Sequence, residues 1–171
     1  MPARPAAPFW PDGPLAGPGG LILRPLGEGD VEAMVAATNH SSVTSAISFL
    51  SDPFGPEDAR ALLARHASGH DVWFGAFPDG RLAGVVGCHE SDGEVEIGYW
   101  FSPGNRGRGL ARASAALVVD WARQVRPGRP LIAECRPDNA ASWKLLTTIG
   151  FAPTGEPGRR DGRLRLVFSS S

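Results

Sequence analysis

Lysine is nearly absent from this chain. Of its 17 cationic residues only Lys144 is a lysine, and the rest are arginines. Arginine holds phosphate oxygens in a planar fork, although genome composition alone can produce the same bias. Cysteine is scarce too: Cys88 and Cys135 are the only two, with no CxxC between them. That argues against a zinc knuckle or a disulfide framework and points to a reducing cytoplasm. No apolar run approaches the ~18 residues a membrane-spanning helix needs, so no membrane partner is expected. Neither sign of charge dominates, with 17 Lys+Arg against 18 Asp+Glu. This excludes a strongly basic nucleic-acid scaffold, though not a local basic patch. What remains is a chain of 171 residues, 42% hydrophobic and 20% charged. It is long enough to bury about 70% of its unfolded surface without a covalent staple. One domain is the default reading, and its state, monomer or homodimer, is left open.

Residues 1–20 carry six Pro and four Gly and read as a loose, flexible tail. They contain no apolar core of a secretory signal, and Phe9 and Trp10 could pin them to the surface or do nothing. From Leu21 to the end, residues 21–171, the pattern is regular. Leu21–Leu26 reads as a strand, and Asp30 as the N-cap of a helix over Val31–Thr38. Asn39–Gly55 is irregular, and Pro56 opens a helix over Glu57–Ala67. Three strands follow, Val72–Phe77, Arg81–His89 and Glu94–Phe101, joined by Pro78-Asp79-Gly80 and Asp92-Gly93 turns. A helix over Gly109–Gln124 has the stripe Leu110, Ala113, Leu117, Trp121. Then come a strand Leu131–Cys135, a helix from Asp138 or Asn139 to Ile149, and closing strands Phe151–Glu156 and Leu164–Phe168. The middle hairpins require antiparallel pairing, while strand–helix–strand from Glu94 to Cys135 requires a parallel crossover. The fold class is therefore α+β, a mixed and mostly antiparallel sheet flanked by helices.

The chemistry concentrates in Glu94–Trp121. A strand runs into Gly104-Asn105-Arg106-Gly107-Arg108-Gly109, and that turn runs into a helix. Free N–H groups at a helix start, together with its positive dipole end, attract an anion, and glycines let the main chain approach it. A diphosphate is the natural guest. The P-loop pattern GxxxxGK[ST] is absent, and GxGxxG fails because Arg112 stands where its third glycine or alanine belongs.

Arg106-x-x-Gly109-x-Ala111 resembles the (Gln/Arg)-x-x-Gly-x-(Gly/Ala) signature of the GCN5-related N-acetyltransferases (GNAT). Asn139-Ala-Ala-Ser142-Trp-Lys-Leu145, continuing to Gly150-Phe151, resembles the second family motif, and Glu96-Ile97-Gly98-Tyr99-Trp100 resembles the EIGYW strand of the RimJ/RimL-type members. Leu23-Arg24-Pro25-Leu26 is similar to the first strand of that subfamily. The resemblance spans roughly Leu21–Phe168. It implies a sheet splayed between the Glu94–Phe101 and Leu131–Cys135 strands. It also implies an acetyl-CoA co-substrate, no metal, and a primary amine acceptor (a protein N-terminal α-amine or a small molecule) that attacks the thioester directly.

Carried onto this chain, the resemblance assigns the pyrophosphate to Arg106, Gly107, Arg108, Gly109, Leu110 and Ala111. It places the thioester carbonyl against a backbone N–H near Tyr99, Trp100 and Phe101. Strand alternation puts Glu94, Glu96, Gly98 and Trp100 on one face. Glu96 is the first candidate for the base and Glu134 on the neighbouring strand the second, each weighed against an ordinary solvated role. Ser142 takes the place of the serine in the RimL-like pattern and is the candidate proton donor to the leaving thiolate or hydrogen-bond partner of its sulfur, since the fourth helix carries no tyrosine. Asn139 either contacts the pantetheine or simply caps its helix.

Elsewhere, His66 and His70 have a spacing that can bind metal, but no partner ligand follows, and exposed polar residues are the expectation. Cys88 and Cys135 read as buried, inert thiols, and no motif supports a Cys–His pair at His89. Arg159-Arg160-Asp161-Gly162 reads as a solvated turn between the last two strands, or as a guide for an acidic substrate. Two other functions stay open: an acyl-CoA-sensing module without turnover, and a nucleotide-binding domain using the same glycine turn. CoA binding without product would mark the first. Competition by ATP or NAD but not CoA would mark the second.

Overall fold

The computed structural model describes residues 8–169. The chain runs β1 (Leu15–Ala16), β2 (Ile22–Pro25), α1 (Val31–Thr38), α2 (Ser41–Thr44), α3 (Pro56–Ala64), β3 (Asp71–Phe77), β4 (Gly84–Ser91), β5 (Glu94–Phe101), α4 (Leu110–Val125), β6 (Leu131–Cys135), α5 (Ala140–Ile149), β7 (Phe151–Pro157) and β8 (Leu164–Phe168). The strands form one sheet in the order β1-β2-β3-β4-β5-β6-β8-β7. Every pairing is antiparallel except β5 with β6, as the helical crossover through α4 requires. Asp92 and Gly93, with φ of 51° and 80°, make the tight turn that returns β4 into β5. This is the mixed, helix-flanked α+β sheet expected from the element order.

Period-2 alternation along the central strands divides the interior in two. Val95, Ile97 and Phe101 of β5 join Val86 and Cys88 of β4 beneath α4 and α5. Trp100, Val85 and Trp73 face the other way, into a second cluster with Met34 of α1, Val43 of α2 and Ala59 of α3. The expected two faces of β5 therefore hold along its full length, and its register with β4 is unbroken from Glu94 to Phe101.

Beyond β5, the β5–β6 pairing stops almost at once. The only partners are Val95↔Leu131 and Glu96↔Ile132. Past Glu96 the two strands splay, and β6 turns to pair with β8 instead. The cleft between them opens onto both faces of the sheet.

The structure corrects several sequence expectations. Residues 8–20 are not loose. Phe9 is 1% exposed, 5.0 Å from the Trp121 ring, and Leu15–Ala16 pairs with β2. Proline and glycine suppress local helix and strand but do not prevent an aromatic side chain from filling a gap beside α4. Residues 1–7 of the expected tail lie outside the described residues. The α4 stripe is also rotated: Ala115, Val118, Val119 and Ala122 are buried with Trp121, while Leu110, Ala113 and Leu117 sit at its margin. Asp30 stands at the expected N-cap position of α1, but its side chain makes no cap hydrogen bond to the helix. Its carboxylate accepts from Arg24 (2.8 and 2.9 Å) and from the Gly27 N–H (2.9 Å), tying the end of β2 to the turn before the helix.

Candidate active site

One cavity of about 980 Å³ follows the splay and draws its walls from both faces. That is at the upper end of small-molecule sites and has room for an extended ligand beside a second one. It is lined by Glu96 to Phe101, by Asn105 to Arg112 except Arg108 and by the start of α5.

At the far end of β5 the chain makes a short turn and enters α4. Gly107 and Gly109 have φ of 76° and 73°, and Gly109 is the residue immediately before the helix. Both conformations strain any residue with a Cβ. No heavy atom lies within 4 Å of where a Cβ on either glycine would sit, so the space above them is open. The first amides of α4 have no helical carbonyl partners and face this opening. Arg106 bonds only weakly across to Ser42 Oγ at 3.4 Å, and Arg108 donates to Asn105 Oδ1 at 3.2 Å. Arg112, Arg136 and Lys144 also line the cavity. None of these five cations is in an ion pair with a carboxylate among the described residues, so a polyanion would meet unspent positive charge.

On the α4/α5 face, Tyr99 and Ser142 come together. Their hydroxyls are 2.7 Å apart although 43 residues separate them in sequence. Burial pushes the Tyr99 phenol up to about 12, against the lowering effect of the Ser142 hydrogen bond, so it stays protonated. Asn139 Oδ1 accepts the Ser142 N–H at 3.1 Å, which caps α5 and holds Ser142 in its first turn. Cys135 is buried beside them, and burial raises its thiol above the usual range. Cys88 is likewise buried, with its thiol pushed up by burial.

The opposite face carries the acids. Glu96 is ion-paired with Arg160, its side chain 14% exposed. Glu134 is more deeply sequestered, at 2%, and accepts from the Arg159 N–H (2.6 Å), the Arg160 N–H (3.2 Å) and Arg160 Nη1 (3.2 Å). Arg159 reaches Ser91 and Glu94. The Arg159–Gly162 segment is therefore not a solvated turn. Three carboxylates on β5 and β6 fold it back across the sheet, where it closes one side of the cavity. Burial lowers the Arg160 pKa, but the hydrogen bond and charge of Glu96 and the charge of Glu134 outweigh it and leave it raised, so this arginine stays charged.

A further group was not singled out from the sequence. His89 Nδ1 lies 2.7 Å from Asp71 Oδ1, and Arg65 Nε donates to the other oxygen of Asp71 at 3.0 Å. Burial alone would raise the Asp71 carboxyl, but the His89 hydrogen bond and the neighbouring positive charges hold it below the usual range. His66 is not simply exposed: its Nε2 accepts the Trp73 N–H at 2.9 Å, and burial lowers its pKa. His70 approaches Glu90 at 3.6 Å. Among the described residues, no three His, Cys, Asp or Glu side chains gather as a metal site.

Comparison with known proteins bears on this geometry. Residues 20–152 match the family model described as acetyltransferase (GNAT) domain. A phosphinothricin N-acetyltransferase from Streptomyces coelicolor is 26% identical over 161 residues, covering 87% of this chain and 94% of that protein. Two solved structures share the fold. Mycobacterium smegmatis RimJ, in complex with a CoA disulfide, superposes with a TM-score of 0.77 at 24% identity, covering 94% of this chain and 88% of that one. RimL, a ribosomal L7/L12 alpha-N-protein acetyltransferase in complex with coenzyme A, gives 0.78 at 19%, covering 91% and 97%. A sheet splayed beside a glycine–arginine turn is thus accompanied by a family match over most of the chain, and the protein belongs to the GNAT acetyltransferase family as an N-acetyltransferase.

Proposed function

We propose that the chain transfers acetyl from acetyl-CoA to a primary amine, of a peptide N-terminus or a small molecule, by direct attack within a ternary complex. The observation that carries this reading is the β5–β6 splay, which ends in an open, positively charged turn at the start of α4. Past Glu96 the β6-facing edge of β5 has no strand partner among the described residues. A pantetheine arm can hydrogen-bond there as an added strand. Its diphosphate then falls at the amides of Arg106 to Ala111, with Arg106, Arg108 and Arg112 around it. The thioester lies beside Tyr99, Trp100 and Phe101, where a main-chain N–H stabilises the developing oxyanion.

The amine enters from the α1/α3 face. Glu96 draws the ammonium inward and orients it. Once the ammonium has given one proton to a base, the neutral nitrogen attacks the carbonyl carbon, the C–N bond forms and the C–S bond breaks, and the second proton the nitrogen sheds replaces the one that Ser142 gives to sulfur. Ser142 Oγ–H donates to the sulfur, and the Tyr99 hydroxyl, 2.7 Å away, holds that serine in place. Glu134, held by three donors of the hairpin, positions Arg160. Similar proteins are named for both kinds of acceptor, ribosomal protein for RimL and phosphinothricin for the Streptomyces relative.

The test is mass spectrometry of acetyl-CoA reactions with a mixed set of peptides and small amines. Acetylated product together with free CoA thiol is expected. Tight CoA binding with no acylated product would favour a sensor instead.

A further inference from the structure

We infer that His89, not a carboxylate, is the general base that removes the proton from the acceptor ammonium, and that Asp71 positions it. The inference rests on the acetyl-transfer reading above.

The argument starts from strand register. His89 of β4 lies directly opposite Glu96 of β5, so both side chains project from the same face. One step along, Gly87 is paired with Gly98. A Cβ on Gly98 would meet no atom within 4 Å, whereas a Cβ on Gly87 would lie 2.6 Å from His89 Nε2. The Nε2 edge of the imidazole therefore lies over Gly87, and the space above its partner Gly98 is open. The walls of this chamber are Trp73, whose ring is 4.5 Å from the imidazole, then Trp100 and Phe49. His89 and Gly98 line the same cavity as the α4 turn.

Chemistry separates the two ends of the ring. Nδ1 is 2.7 Å from an ionised Asp71, which fixes the proton there and leaves Nε2 as the acceptor. Arg65 holds the second oxygen of Asp71. Nε2 has no protein hydrogen-bond partner among the described residues. The carboxylates already have partners: Glu96 is paired with Arg160, and Glu134 is bound by three donors.

In the proposed step the ammonium N–H transfers its proton to Nε2, giving imidazolium paired with Asp71, which later releases that proton to solvent. The neutral amine attacks the thioester. The second proton that nitrogen loses on collapse balances the one gained by sulfur.

The groups facing His89 are Asp71 from β3, Glu96 from β5, Arg65 and His66 from the segment after α3, and Arg160 from the β7–β8 hairpin. Of these, His66 is the other imidazole, so His66→Gln serves as the control for any pH limb.

The test uses the full chain with acetyl-CoA and an equimolar pool of tripeptides with free N-termini and primary alkylamines, read by thiol release. His89→Gln is expected to lower turnover about 100-fold, the low end of general-base effects. Half-saturation by acetyl-CoA should stay within about twofold of wild type, by the same principle that a base acts in the chemical step. The acidic limb of the wild-type pH profile should disappear in His89→Gln and persist in His66→Gln. Added imidazole should restore turnover to His89→Ala, and Asp71→Asn should shift the limb. Glu96→Gln should raise the amine concentration needed for half-saturation, because that carboxylate orients the ammonium. His89→Gln turnover within threefold of wild type, or an unchanged acidic limb, overturns the proposal. Nitrogen-15 histidine NMR of the wild-type protein provides a second reading if a variant misfolds. Expected is the Nδ1–H tautomer with Nε2 taking the titrating proton; a spectrum with the proton on Nε2 at neutral pH overturns the proposal. If wild-type protein binds CoA yet releases no thiol with the pool, the acetyl-transfer reading itself falls, whatever the spectrum shows.

Discussion

Arg160 makes two connections that otherwise have no covalent or sheet-based substitute. Its guanidinium bridges Glu96 on β5 and Glu134 on β6, on the side of the cleft where strand pairing has ended. Replacing it with methionine removes that bridge and leaves Glu134, 2% exposed, with only the two main-chain donors of the hairpin. Orphaning a buried carboxylate typically costs 3–5 kcal/mol. The cost here should be smaller, about 2 kcal/mol, because backbone N–H groups remain and a third of Arg160 reaches water. Urea denaturation of Arg160→Met checks this, and an unchanged midpoint would show that the pairing is surface decoration. No pattern in the sequence announces Arg160. Its partners lie 64 and 26 residues away, and only the β7–β8 hairpin folding over the sheet brings them within reach. The pairing of His89 with Asp71 is invisible in the sequence for the same reason. They meet through antiparallel register, Asp71↔His89, not through any local spacing.

The turn into α4 was legible because its chemistry is local: glycines, arginines and a helix start occupy six consecutive residues. What the structure adds is the reason each glycine is there. Gly109 has φ of 73° and open space above it, so a substitution acts first through conformation and second by occupying the ligand's place. Gly109→Val should cost about 1–2 kcal/mol of stability, the usual penalty for a left-handed residue with a Cβ. Gly109→Asn should fold better, since asparagine tolerates that conformation. Both should bind CoA at least about tenfold more weakly in calorimetry, because both obstruct the approach of phosphate to the amides. Normal CoA affinity in either variant would remove the turn from the site. The α4 stripe, by contrast, was misread by a fraction of a turn. Helical periodicity identifies a face but does not say how the residues before β2 share in covering it. Here Leu117 lies under Gly17, at the margin, while Ala115, Val118 and Ala122 take the centre.

Charge pairing across the molecule gives its stability a definite pH dependence. Hydrogen bonding to Arg24 holds Asp30 below the usual carboxylate range, and Arg165 does the same for Glu94. At Glu90 burial raises the pKa, but Arg126 and Arg129 outweigh it and leave it lowered, as His89 and Arg65 do at Asp71. A depressed folded-state pKa stabilises the fold above the unfolded value, about 4 for these groups, and that stability is lost as pH falls through the folded value. His66, lowered by burial, adds a smaller loss as pH drops below its unfolded value of about 6.5. The urea midpoint should therefore slip slightly below about pH 6.5 and fall steeply below about pH 4. A midpoint constant down to pH 3 would show that these pairs contribute nothing. Apart from β1 and the short α2, the strand and helix order, the mixed sheet and its two faces were readable in advance, because alternation and turn residues encode them. The packing of Phe9 beneath Arg126 was not, since a Pro/Gly-rich stretch carries no periodicity from which to infer it.

The proposed function seats acetyl-CoA in the cleft between β5 and β6, with the proposed acid and base on opposite faces of β5. A crystal structure of the chain with bound acetyl-CoA addresses this arrangement. The expected result is a pyrophosphate within about 3 Å, ordinary hydrogen-bond distance, of the main-chain nitrogens between Arg106 and Ala111, with the thioester beside Tyr99 to Phe101 and open to the chamber above Gly98. An α4 turn left empty while the cofactor binds elsewhere would contradict it.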